Sequence, residues 1–158
     1  LIFSMDEEMN DETTLQVYEF YSTLWRVSCI ESELRRQWGI YELTFYDDSG
    51  CMNPLSNSIK RILHSRTASW PPENAFDHDE TTIWKSSCGR CTAADAECDP
   101  CSEGQAFLGV EFEKTVTVGC VRIVQLEHHI GGCDSLALAF SASGDQGPWK
   151  RTSTFAGV

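Results

Sequence analysis

Read for alternation of apolar and polar positions, the chain breaks into short β-type segments. Successive side chains of a strand point to opposite faces, so a period of two predicts a half-buried strand. Trp25-Arg26-Val27-Ser28-Cys29-Ile30 predicts one strand. Ile40-Tyr41-Glu42-Leu43-Thr44-Phe45-Tyr46, rich in β-branched and aromatic residues, predicts its partner. The polar stretch Glu31 to Gly39 joins them, and Asp47-Asp48-Ser49-Gly50 ends the second. Phe107 to Phe112, Val116 to Leu126 and Leu136 to Ser141 predict further strands. Leu55, Ile59, Ile62 and Leu63 have helical spacing, so a short helix is expected within Asn53 to Ser65. Ser143 to Pro148 predicts a turn, after which Trp149 is expected to return the chain to the core. No longer helix is needed, and an all-β sandwich is the fold class that follows.

The remaining segments set the domain organisation. Residues 1–12 carry Asp6, Glu7, Glu8, Asp11 and Glu12 with no base, which predicts a solvated acidic arm. Thr13 to Leu24 lacks clean periodicity and serves as a lead-in, so the globular domain is expected over 25–158. Trp70-Pro71-Pro72-Glu73-Asn74 predicts a rigid exposed loop, because proline fixes φ and lacks a donor. Residues 85–105 form a cysteine-rich insertion.

A length of 158 residues suits one domain with a real core. The formal charge of −12 argues against nucleic acid and against an anionic membrane surface. Arg35-Arg36 and Lys60-Arg61 are adjacent basic pairs that a basic face would use. No run approaches the roughly 18 apolar residues of a membrane span, and a Leu rather than Met at the start is expected of a processed chain or of part of a longer one. Eight cysteines in an acidic, loop-rich chain favour an oxidising compartment, extracellular or an organelle lumen.

Two stretches carry candidate chemistry. In Ala75-Phe76-Asp77-His78-Asp79-Glu80-Thr81-Thr82-Ile83-Trp84, the carboxylates of Asp77 and Asp79 and the Thr82 hydroxyl can turn toward one centre while Phe76 and Trp84 pack inward. A hard cation such as calcium takes such oxygens together with backbone carbonyls. An acidic turn whose Asp side chains bond nearby amides is the other reading. Cys88-x-x-Cys91 and Cys98-x-x-Cys101 allow three readings: two disulfides, nested as Cys88–Cys101 and Cys91–Cys98, a zinc tetrathiolate, or dithiol redox chemistry. Zinc ribbons have a longer gap, no thioredoxin-like pattern surrounds the motif, and an oxidising compartment favours disulfides. For Cys29, Cys51, Cys120 and Cys133, the local pairs Cys29–Cys51 and Cys120–Cys133 are the simplest expectation, with cross pairing physically open.

Taken in order, A-F-D-H-D-E-T-T-I-W (75–84), F-L-G-V-E-F (107–112), V-x-V-G-C-V-R-I (116–123) and S-A-S-G-D-Q-G-P-W (141–149) resemble the discoidin-like, coagulation factor V/VIII type C domain. W-R-V-S-C-I-E (25–31) with W-G-I-Y-E-L-T-F-Y-D (38–47) resembles the hairpin that usually closes that domain, here placed first, as in a circular permutation that uses every segment in one core or, alternatively, as the close of a preceding repeat. The resemblance spans residues 25–155. It implies the galactose-binding-like jelly roll and a structural calcium held by Asp77, Asp79, Thr82 and Glu42. Where the family often has Gly, this chain has His78, which a positive φ would disfavour.

No nucleophile elbow, phosphate loop or arranged triad stands out, so the chain reads as a non-enzyme. Discoidin-like domains mostly bind glycans, lipid headgroups or proteins through loops at one end of the sandwich, which here implies 31–39, 66–74 and 127–134. Trp70 can stack on a sugar or anchor an interface, with Arg35, His128 and His129 as donors beside it. The expectation is a recognition or adhesion module for glycan or glycoprotein. The alternatives are a disulfide-stabilised accessory subunit on the lumenal or extracellular face of a large assembly, membrane-bound or photosynthetic, and a zinc-dependent interaction module.

Overall fold

The computed structural model of the chain describes residues 2–4, 20–66, 70–91 and 98–157. Its strands are β1 (Ile2–Ser4), β2 (Ser22–Cys29), β3 (Glu33–Leu34), β4 (Gly39–Tyr46), β5 (Ile59–His64), β6 (Trp84–Lys85), β7 (Cys101–Ser102), β8 (Phe107–Val116), β9 (Cys120–Gln125), β10 (Ser135–Ser141) and β11 (Lys150–Ala156). They form an antiparallel five-stranded sheet, β11-β10-β2-β8-β5, facing a four-stranded one, β1-β9-β4-β6, with a separate β3–β7 ribbon. The protein is an all-β, disulfide-rich sandwich. Among the described residues no helix is long and apolar enough to cross a membrane.

Strand alternation builds the core. Trp25, Val27, Leu108, Val110, Leu136 and Leu138 are all buried on one face of the five-stranded sheet. Leu43, Phe45, Val121 and Ile123 meet them from the other sheet. The Phe45 and Phe112 rings meet edge-on at 6.1 Å, and each such apolar side chain contributes about 1.5–3 kcal/mol on burial.

Four expectations need correcting. First, β2 and β4 do not pair; β2 lies between β10 and β8, and β4 lies in the other sheet against β9. Residues 30–38 therefore carry the chain from one layer to the other instead of forming a hairpin turn. Second, the segment expected to be helical has one short 3-10 turn, Ser56–Ser58, and then becomes edge strand β5. Ladder bonds to β8 outweigh a weak helical spacing in which Ile59 and Ile62 also fit a strand. Third, β2 begins at Ser22, so the lead-in contributes to the sheet; residues 1 and 5–19, with most of the acidic arm, lie outside the described residues. Fourth, Trp149 does not re-enter the core. It lies half-buried on the outer face of the five-stranded sheet, with the Arg26 guanidinium over its ring at 4.3 Å.

The edge strand β5 carries a bulge between Ile59 and Arg61. Lys60 (2.7 Å) and Arg61 both bond Glu111 on β8, and Arg61 also bonds Asp145 at 3.0 Å. This basic pair is consumed within the molecule and forms no free basic face.

Candidate functional site

The acidic loop lies over the outer face of the four-stranded sheet. The register explains why Glu42 is there: Leu43 and Phe45 face the core opposite Ile123 and Val121, so Glu42 and Thr44 face the other way. They are nonetheless buried, Glu42 to 2% exposure, because the loop closes over them. Glu80 on the loop pairs with Arg122 of β9 at 2.9 Å and holds it down. A 3-10 turn, Pro72–Ala75, leads into it.

Within the loop, His78 takes φ +61°, the left-handed value anticipated for a glycine-like position. Its N–H donates to Glu42 Oε2 at 3.1 Å. Glu42 Oε1 is buried with no hydrogen-bond partner, and His78 Nδ1 stands 3.5 Å away. Burial pushes the Glu42 carboxyl up from its ordinary value, against the opposing pull of His78. The Thr82 hydroxyl lies 3.1 Å from the Asn74 carbonyl, 2.8 Å from Asp77 Oδ2 and 3.0 Å from the Asp79 carbonyl. One hydroxyl has one proton, and the Asp79 carbonyl already accepts the Thr82 N–H at 3.1 Å, so at least one of the Asn74 carbonyl and Asp77 Oδ2 faces the hydroxyl without its proton. Asp77 Oδ1 and the Asp79 carboxylate accept the Asp79 and Thr81 N–H groups, as in an acidic turn, while Asp77 Oδ2, the Asn74 carbonyl and the unpartnered Oε1 of the half-satisfied Glu42 carboxylate are the oxygens that would suit a hard cation.

The donors differ from those expected in one respect. The Asp79 carboxylate accepts the N–H and hydroxyl of Thr81 at 2.9 and 2.6 Å, which holds its carboxyl below the ordinary range. Asp79 therefore offers its carbonyl, and Asn74 adds a carbonyl that residue-type patterns cannot reveal. Glu42, Asp77, Thr82 and these two carbonyls could hold calcium.

The other expected loops gather at one end of the sandwich, where β2, β5 and β9 end and β4, β8 and β10 begin. The four 88–101 cysteines pair as Cys88–Cys101 and Cys91–Cys98, the nested arrangement, which leaves no thiolate for zinc or for dithiol chemistry. The local pairing of the other four is overturned: the bonds are Cys29–Cys133 and Cys51–Cys120. Cross-pairing follows from the register, since Tyr46 lies opposite Cys120 and places the following turn beside it. Cys29–Cys133 ties the end of β2 to the 126–134 loop. The insertion docks on 33–38 through the β3–β7 ribbon and the Ser86 Oγ bond to the Trp38 N–H at 2.9 Å. Gln125 adds a further tie, accepting from Trp38 Nε1 at 2.8 Å and bonding both backbone groups of Cys133.

Trp70 is 41% exposed and carries the Lys85 ammonium over its ring at 5.1 Å; residues 67–69 of its loop lie outside the described residues. Arg35 is exposed and paired with Glu33 at 3.0 Å. His128 is paired with Asp134 at 2.8 Å, beside Glu31, and His129 stands 3.4 Å from Glu127. The structure thus brings these loops to one end, with Arg35 and the two histidines already matched to acids. The residue missed from sequence is Arg26, whose alternate position in a strand was the available signal of an outward charge.

No protein-family model, curated protein or solved structure matches this chain.

Proposed function

We propose that this domain is a non-catalytic recognition module, discoidin-like in kind, that binds a glycan or glycoprotein through the end loops 31–39, 66–74 and 127–134. The observation that carries the reading is the stapling of that end. Cys29–Cys133 ties the 127–134 loop to the end of β2, and Cys88–Cys101 and Cys91–Cys98 hold the insertion that docks on 33–38, so the loops that expose Arg35, His128 and His129 are fixed, with Trp70 exposed at the same end. Loops fixed before binding lose little entropy on ligand capture, which suits recognition. A half-exposed indole can stack on a pyranose face while the flanking polar groups bond its hydroxyls. Calcium on Glu42, Asp77, Thr82 and the Asn74 and Asp79 carbonyls would act structurally, holding the acidic loop. Four disulfides fit an oxidising compartment, and the proposal places the protein in the extracellular space or an organelle lumen.

A glycan array probed with the folded, calcium-loaded protein tests this. Capture of a defined glycan set, lost in Trp70→Ala with an unchanged melting temperature, is the expected result. Absence of any glycan signal, with the native protein migrating inside a large membrane complex, would overturn it in favour of an accessory subunit whose end loops are a protein interface.

A further inference from the structure

The outer face of the five-stranded sheet holds a cavity of about 170 Å³. Alternation puts it there: with Trp25 and Val27 in the core, Arg26 and Ser28 must face outward. Their partners across β10 are small, Ala139 opposite Arg26 and Ala137 opposite Ser28. On β8, Gly109 lies opposite Arg26, and a Cβ there would collide with the Arg26 Cβ. The floor is therefore low, while Trp149 and Arg151 rise at the side.

The Arg26 guanidinium lies 4.3 Å from the Trp149 ring centroid and 4.7 Å from that of Phe107. Trp149 is itself held by its Nε1 bond to the Asp145 carbonyl at 3.2 Å. The Arg26 Nε is buried and has no hydrogen-bond partner, and no carboxylate among the described residues pairs with Arg26. Its neighbour Arg151 is already matched to Glu103 at 2.7 Å. Burial, aided by Arg151, brings the Arg26 pKa down to about 10. The chain has 24 acids against 12 lysines and arginines, yet none of the acids among the described residues pairs with this half-buried cation. A buried charge without a counter-charge is unfavourable, so the place is suited to an anion from outside.

We propose that this cavity binds a singly charged carboxylate, with Arg26 as its anchor. One uncompensated cation matches one negative charge, and a guanidinium edge matches a planar carboxylate by paired hydrogen bonds. The apolar surround of Ala137, Ala139 and Trp149 receives the carbon frame of the ligand. At about 30 Å³ per water the cavity has room for roughly six waters, which is the size of a small organic acid or of one acidic sugar residue. The proposal is independent of the end-loop reading and of the cation in the acidic loop.

Titration of the protein with sodium acetate and sodium glucuronate, watched at the arginine Nε–H signals by NMR, tests it. Sodium chloride at matched ionic strength and glucose are the controls. A saturable shift of the Arg26 signal with both carboxylates, absent with chloride and glucose, is expected. Two variants separate binding from folding. Arg26→Gln removes the anchor along with an unpaired charge, so its melting temperature should hold or rise while calorimetry detects no carboxylate binding. Ala139→Leu fills the cavity and leaves Arg26 in place, and should weaken affinity about tenfold or more, as for loss of a buried anchor. Tighter glucuronate than acetate would assign the site to sugar acids, and equal affinity to the carboxylate alone; both support the proposal. Absence of a saturable shift, an equal response to chloride, or binding that survives in both variants overturns it.

Discussion

The His78 backbone N–H donates to one oxygen of the buried Glu42 carboxylate at 3.1 Å, while the other oxygen has no hydrogen-bond partner. This couples a strand residue of the four-stranded sheet to the acidic loop that covers it. The half-satisfied carboxylate predicts that the hold of the strand on this loop depends on pH.

The sign of that response follows from the raised Glu42 pKa. A carboxyl that holds its proton more tightly folded than unfolded contributes stability while protonated. That stability is lost as pH rises from the unfolded value, about 4.3, through the higher folded one. In chelator, the parent protein should therefore lose melting temperature across that interval, and Glu42→Gln should not. At neutral pH Glu42→Gln should match or exceed the chelated parent, and calcium should stabilise the parent alone. Asp77→Ala should likewise abolish the calcium effect. Melts that are identical for the parent with calcium and with chelator would remove the cation from the account.

His78 supplies a second check, because its φ of +61° is strained for any residue with a Cβ. His78→Gly and His78→Ala both delete the imidazole, so their difference isolates the backbone. Glycine should be the more stable by about 1–2 kcal/mol in denaturant unfolding. Equal stability would mean that the loop relaxes to another conformation.

The disulfides should rank by the length of chain they close. Cys29 and Cys133 are 104 residues apart and Cys91 and Cys98 only 7. In the chain-entropy description the long closure contributes about 4–5 kcal/mol and the short one about 2–3. Paired Cys→Ser replacement at 29 and 133 should thus lower the unfolding free energy by about 2 kcal/mol more than replacement at 91 and 98. The opposite order would show that the local geometry of the insertion outweighs unfolded-chain entropy.

Most strands were legible because their alternation is strong: Trp25 to Ile30, Ile40 to Tyr46, Phe107 to Phe112 and Leu136 to Ser141 all lie within or across observed strands. Partnership was not legible. Two strands close in sequence invite a hairpin, but the buried face of each settled it in a different sheet, and the same long-range register decided that Cys29 meets Cys133. Asp77 and Thr82 were visible as ligand-type side chains, whereas the Asn74 and Asp79 carbonyls depend on where a loop turns its backbone. Trp149 was misread because an aromatic residue after a turn usually seeks the core; here a guanidinium on the outside gives its ring a partner.

The bulged edge strand β5 has a consequence beyond its own ladder. An open sandwich presents unpaired backbone groups along its outermost strands, and a second copy can extend the sheet there. At β5 the bulge between Ile59 and Arg61 breaks the regular spacing such an addition needs, and the edge strand carries two charged side chains, Lys60 and Arg61, that reach back to Glu111 on β8. An incoming strand would meet a kinked template. A bulged edge bearing two charged side chains is a poor template for strand addition, a consequence set by position in the sheet and separate from the modest stability that exposed ion pairs contribute.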